Sequence, residues 1–208
     1  MMASIQKDTN VDYVEPDVMM YPLAVPGDTR YAEQWQYFEA TGGLNLPTAW
    51  DSVQGNGVVV AVIDTGYLPH ADLVANILPG YDMISDAFVS QDGDGRDGDA
   101  YDNGDWTPAN ACYAGSPEQN SSWHGTHVAG TVGAEGNNGI GVTGVNWNAK
   151  IMGLKVGTAG GGIPDSAVIE ALNYMVTMKT VYGPPPMSEV SLPIPTTASK
   201  NSAARAGS

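Results

Sequence analysis

The seven residues from Gly57 to Ile63, GVVVAVI, form an unbroken apolar run rich in β-branched side chains. A strand with one wet face alternates apolar and polar residues, and this run does not. It therefore suits a central strand of a parallel sheet, covered on both faces. A second buried strand is expected at Lys150–Val156, KIMGLKV. Between the two, HGTHVAGTVGA from His124 reads as a helix of small residues. Another helix is expected from about Asp165 to Val181, started by Pro164-Asp165, with Ala167, Val168, Ala171, Leu172 and Met175 on its apolar side. A short helix near Pro47–Asp51 precedes them, since proline is tolerated in a first helical turn. The order strand, helix, strand, helix predicts an α/β protein with an open sheet.

The chain has 208 residues, of which 42% are apolar, with five Trp, enough to build a core. Its net charge of −15, with only 8 Lys and Arg, disfavours nucleic acid and anionic membrane surfaces as partners. No stretch has the length of a transmembrane helix. The first residues, MMASIQKDTN, contain no apolar core of a signal peptide. Cys112 is the only cysteine, so no disulfide forms within these residues.

Residues 1–20 carry a short strand at Val11–Val14 and a Glu-Pro-Asp turn. Residues 21–182 hold the patterned elements. From Gly183 the character changes: three prolines lead into SEVSLPIPTTASKNSAARAGS, with no aromatic residue and no helical or strand period. Such a stretch reads as linker or disorder, and a shifted reading frame would produce the same pattern.

Asp64 ends the first buried strand, at the sheet edge where open α/β folds collect ligands and catalytic groups. A carboxylate there needs a partner to offset its desolvation. An imidazolium is one such partner, and a turn-capping role is the plainer alternative. Ile63-Asp64-Thr65-Gly66 is also the pattern of an aspartic protease, which would need a second Asp-Thr-Gly or a symmetric dimer; no second copy exists here. Ser122-Trp123-His124-Gly125-Thr126-His127 then places a histidine at a helix start, followed by residues small enough for close packing. His124 and His127 alone would fit core packing or zinc equally well. Together with the Asp64 strand they fit a general base held by a carboxylate, with Gly125 and Gly130 expected to let the helix lie against the sheet.

VAVIDTGYLPHADL and SSWHGTHVAGTVGAEGNNGIGVTGV resemble the subtilisin family of serine peptidases, and the likeness runs from roughly Val11 to Val181. It implies a partial subtilisin-like three-layer α/β fold with a parallel sheet, incomplete at its C-terminus. It makes Asp64 the orienting acid and His124 the general base of an Asp-His-Ser charge relay that cleaves peptide bonds. The branch it resembles is secreted and bacterial, which implies an extracellular protein, and Val11–Asp17 resembles the end of an inhibitory propeptide. Gly160, Gly161 and Gly162 correspond to the edge that pairs with an extended polypeptide substrate; a flexible turn is the alternative. The likeness also implies structural calcium, held by Asp72, Asn138, Ile140, Val142 and Gln34 around Gly136–Val142.

Eight aspartates fall between Asp82 and Asp105, with Arg96 the only base among them. Asp92, Asp94 and Asp97 have a spacing that could surround a second calcium, and a solvated loop is the alternative. Relatives often pair a cysteine at the Cys112 position with one just after the second strand, where Gly157-Thr158-Ala159 stands here. The oxyanion-hole asparagine and the Gly-Thr-Ser-Met-Ala nucleophile motif are not found, and the likeness breaks near Tyr182–Gly183. A shifted frame is the reading favoured there, and these residues alone are expected to lack serine-peptidase turnover. A catalytically dead calcium- or peptide-binding module is the second reading.

Overall fold

The computed structural model describes Lys7, Val11 and residues 24–178. The expectations for a propeptide end, for a strand at Val11–Val14, for the tail 183–208 and for the last turn of the helix running to Val181 fall largely or wholly outside these residues.

In chain order the elements are α1 (Trp35–Phe38), α2 (Leu46–Trp50), β1 (Val59–Asp64), β2 (Ile77–Asp82), α3 (Ala87–Ser90), α4 (His124–Gly133), β3 (Lys150–Lys155) and α5 (Asp165–Met178). The strands form a parallel sheet in the order β1-β3-β2. The register sets Asp64 and Asp82 on either side of Lys155, so three charged residues stand abreast at the C-terminal edge.

Both faces of the sheet carry packed residues, but β1 is not the central strand expected of its apolar run: among the described strands it lies at the edge, β3 is central, and of β1 only Val62 is buried. On one face Met152, Leu154 and Val156 pack with Ala167 and Ala171 of α5. On the other, Val62 and Ile151 pack with Ala129 of α4 and with Leu73 and Ala134. Ile151 and Leu154 are fully buried, each contributing about 1.5–3 kcal/mol of hydrophobic stabilisation. The result is a helix–sheet–helix sandwich, the three-layer arrangement expected.

An aromatic cluster of Tyr31, Tyr37, Trp50 and Trp147 fastens the N-terminal segment to this sandwich. Trp50 and Trp147 lie 4.9 Å apart between ring centroids. Their neighbour Tyr37 donates its hydroxyl to the Thr131 carbonyl on α4 (2.9 Å), and Trp50 Nε1 donates to Val145 O (2.8 Å).

Three details depart from the sequence reading. Strand β2, Ile77-Leu78-Pro79-Gly80-Tyr81-Asp82, has a pattern interrupted by Pro79 and Gly80, and its ladder is irregular between Leu78 and Tyr81. Gly80 is needed there because a Cβ would collide with the Gly153 carbonyl. On α5, Leu172 is 47% exposed, because one helical step of about 100° carries it away from buried Ala171. On α4, Gly125 touches the end of β1 but Gly130 has nothing near its Cβ position, so only the first of the two is required by packing.

Candidate active site

β1 ends on Asp64 and α4 begins on His124, and Gly125 decides how closely they approach. A side chain at Gly125 would run into the Gly66 carbonyl, so only a bare Cα lets the first turn of α4 rest on the turn after β1. His124 Nδ1 then lies 2.8 Å from Asp64 Oδ1 and 2.9 Å from Oδ2. An ionised carboxylate only accepts, so the imidazole proton sits on Nδ1 and Nε2 is left as a base. The His124 side chain is 65% exposed and that of Asp64 is 14% exposed, so the basic nitrogen faces outward from a sheltered carboxylate. The hydrogen bond His124 donates to Asp64 and the charge of that carboxylate raise the His124 pKa above 6.5, with a smaller contribution from Asp105.

Neighbouring residues fix this geometry. Thr65 N donates to Asp64 Oδ1 (2.8 Å). Thr65 Oγ1 donates to Asp102 Oδ2 (2.7 Å) and accepts from Gly125 N (3.0 Å), joining strand end, insertion and helix start through one hydroxyl. Asp102 is buried. Trp123, just before the helix, has φ 52°, a left-handed backbone that a bulky residue adopts at a cost of about 1–3 kcal/mol. His127 is exposed and lies with His70 in a groove on the other side of α4, apart from the Asp64 contact.

This arrangement can be compared with known proteins. Residues 55–183 match the subtilase family of peptidases. The chain is 52% identical over 168 residues to an extracellular protease of Xanthomonas campestris pv. campestris, covering 80% of this chain and 29% of that protein. Against an extracellular basic protease of Dichelobacter nodosus it is 46% identical over 167 residues, covering 77% and 27%. A solved protease structure from Pseudoalteromonas arctica superposes with a TM-score of 0.67 at 59% identity, over 70% of this chain and 43% of that one. The chain belongs to the subtilase family. It spans less than a third of the length of these two curated subtilases, and its fold is a partial subtilisin-like one.

The remaining expected subtilase positions are placed unequally. Gly160 and Gly161 have φ 72° and 74°, in a turn closed by Thr158 N to Gly162 O (2.9 Å) and Gly161 N to Thr158 O (3.0 Å). Only Gly162 of the three is extended, so the segment is a turn ending in extended backbone. Cys112 is exposed, and its Sγ would lie 3.4 Å from a Cβ on Gly160, in keeping with a cysteine position close to the residues after β3.

Around Gly136–Val142, buried Asp72 accepts from Asn138 Nδ2 on Oδ1 (2.9 Å) and from Val142 N on Oδ2 (2.9 Å). Asn138 Oδ1 accepts from Ile140 N (2.7 Å). Gln34 is adjacent but its amide is committed to Thr143, donating to the carbonyl and accepting from the N–H at 2.9 Å each. A residue that motif reading missed is Asp28. It is buried, and its carboxylate accepts from the N–H groups of Asn137 (2.7 Å), Asn138 (2.9 Å) and Gly139 (3.1 Å). A lone aspartate more than a hundred positions from this loop carries no local signal. The donor set of two carboxylates, one side-chain amide and backbone carbonyls is all hard oxygen, which is the chemistry calcium takes.

The Asp-rich segment does not gather its carboxylates around one point. Asp92 Oδ2 lies 2.8 Å from the buried Lys155 Nζ, and its Oδ1 accepts from Ser90 Oγ (2.6 Å). Asp97 Oδ1 caps Asp99 N (2.8 Å), while Asp94 offers its backbone carbonyl to Ser90 Oγ (2.6 Å). Among the described residues no three acidic, His or Cys side chains cluster as a metal site. In this structure Asp92 faces a counter-ion, and Asp94 and Asp97 bond within their own loops. The cation facing Asp92 is the buried Lys155. Asp82 Oδ2 is 2.9 Å from the same Nζ without hydrogen-bond geometry, so that contact is an ion pair. Burial pushes the Asp82 carboxyl up to about 6. Burial also works against ionisation of Asp92, but the bonds from Lys155 and Ser90 hold its carboxyl below the usual range.

Proposed function

We propose that these residues are the acid–base half of a serine endopeptidase that cleaves polypeptides outside the cell. The observation that carries this is the His124 Nδ1 to Asp64 Oδ1 contact of 2.8 Å, which leaves Nε2 outward on an exposed ring. In the reaction, Nε2 takes the proton of a serine hydroxyl as its oxygen bonds to the scissile carbonyl carbon. The same proton passes to the leaving amine nitrogen, while Asp64 orients and stabilises the imidazolium. No motif for the serine or the oxyanion donor of this relay is found among residues 1–208. The extended backbone at Gly162 is the place where a substrate strand pairs.

Calcium is a structural component of this reading, with Asp28, Asp72, Asn138 and the carbonyls of Ile140 and Val142 as its ligands. When bound it supplies positive charge that holds the Gly136–Val142 loop. A propeptide whose end is residues 1–20 is the proposed inhibitor of the full-length protein, and the relatives' names support secretion.

The deciding experiment is labelling by a fluorophosphonate probe. A version extended through the nucleophile region should label, and its His124→Ala variant should not. Labelling of the His124→Ala variant at the parental rate would refute the assignment.

A further inference from the structure

We propose that Asp105, which closes the Asp-rich insertion, is a positioning residue that ties the general base to the substrate-pairing edge. The proposal rests on the serine-endopeptidase reading and deepens it.

Three other aspartates of the insertion shape only their own loops. Asp86, Asp97 and Asp99 each accept from the N–H two residues further on, at Phe88, Asp99 and Tyr101. Asp105 instead reaches a residue 17 positions away: Ser122 N donates to its Oδ1 (2.5 Å) and Ser122 Oγ donates to its Oδ2 (2.8 Å). The same Ser122 Oγ accepts from His124 N (3.2 Å), so the carboxylate holds the group that caps the first amide of α4. On its main-chain side, Asp105 O accepts from Gly160 N (3.0 Å), the first residue of the glycine turn.

Two neighbouring features stiffen this link. Thr107 and Gln119 exchange backbone hydrogen bonds at 3.0 and 2.9 Å, bracing the strands of chain that carry Asp105 and Ser122. A Cβ on Gly160 would meet the Thr107 methyl at 3.4 Å, so the glycine turn rests on this brace. Displacing Asp105 therefore moves His124 through its side chain and Gly160 through its carbonyl. Its negative charge also favours the imidazolium, as that of Asp64 does.

The test is nuclear magnetic resonance on the 208-residue chain, reading the His124 ring titration and the exchange rate of the Gly160 amide. Asp105→Asn can keep contacts to Ser122 without the charge, and should lower the His124 midpoint while leaving Gly160 exchange as in the parent. Asp105→Ala should lower the midpoint and also speed Gly160 exchange. A purely local cap would change His124 alone, so unaltered Gly160 exchange in Asp105→Ala overturns the coupling, as does a parental midpoint in both variants. If Asp105→Ala does not fold, the Asp105→Asn midpoint decides. Asp64→Asn serves as the reference: if it leaves the midpoint unchanged, the charge-relay assignment fails rather than this link.

Discussion

His124 and Asp64 are 60 positions apart, yet the imidazole Nδ1 sits within 2.8 and 2.9 Å of both oxygens of the carboxylate. This contact raises the His124 pKa above its ordinary 6.5. The folded state therefore binds the proton more tightly than the unfolded one. Its contribution to stability is full below the unfolded value and is lost as pH rises through the folded one. Asp64→Asn should lower the His124 midpoint, as read from the ring resonances across a pH titration. In an active extended protein it should also shift the acid limb of the rate profile.

The Gly125–Gly66 approach leaves no room for a methyl group. Gly125→Ala should cost about 1–3 kcal/mol, the usual range for overpacking a tight interface. The helix start would also be pushed from β1, so the Asp64-dependent shift of His124 should shrink. Urea unfolding measures the first effect and the ring titration the second. A fully stable Gly125→Ala chain with an unaltered titration would contradict the packing described.

Lys155 is 2% exposed and lies between Asp82 and Asp92. Lys155→Met should destabilise by about 3–5 kcal/mol, because it strands a buried carboxylate. Adding Asp82→Leu should recover part of that loss, a comparison made by thermal unfolding. The Asp82 carboxyl, raised from 3.8 to about 6, binds its proton more tightly when folded. Its stabilising contribution is full below about pH 4 and is lost as pH rises through about 6. Asp82→Asn should flatten the stability profile within that window.

Asp28 holds three successive N–H groups of the loop that follows α4. Asp28→Ala should cost about 2–3 kcal/mol, the range for hydrogen bonds to a charged group. It should also weaken calcium-dependent stabilisation relative to the parent chain. Calorimetric melting with calcium and with a chelator tests both; an equal calcium response in the two chains would exclude Asp28 as a ligand.

Much of this architecture was written locally. The uninterrupted Gly57–Ile63 run announced a two-sided strand, and β1 occupies most of it. The small residues after His124 announced a helix in close contact, and Gly125 makes that contact. Elements whose logic is not local were illegible. Strand β2 hides behind Pro79 and Gly80, which periodicity reads as a break, although the Gly153 carbonyl of β3 leaves no room for a Cβ at Gly80. Asp28 acts on a loop 109 to 111 positions away. The acidic run suggested a cation, but its counter-charge was already in the chain as Lys155, which sequence shows as one ordinary residue of a strand.

The insertion between Asp64 and His124 is moored at separate points: Asp92 to Lys155, Arg96 to Glu170 (3.3 Å), and Asp102 to Thr65 (2.7 Å). These moorings divide it into stretches that can be rewritten independently. Gly98 has open space around its Cβ position, so the chain there can be recoded with little consequence for the Asp64–His124 contact. The five residues from Tyr101 to Asp105 have no such freedom, since they are threaded through the joint between strand, helix and glycine turn. Loop grafting in this protein should therefore succeed at the tip and fail at the root.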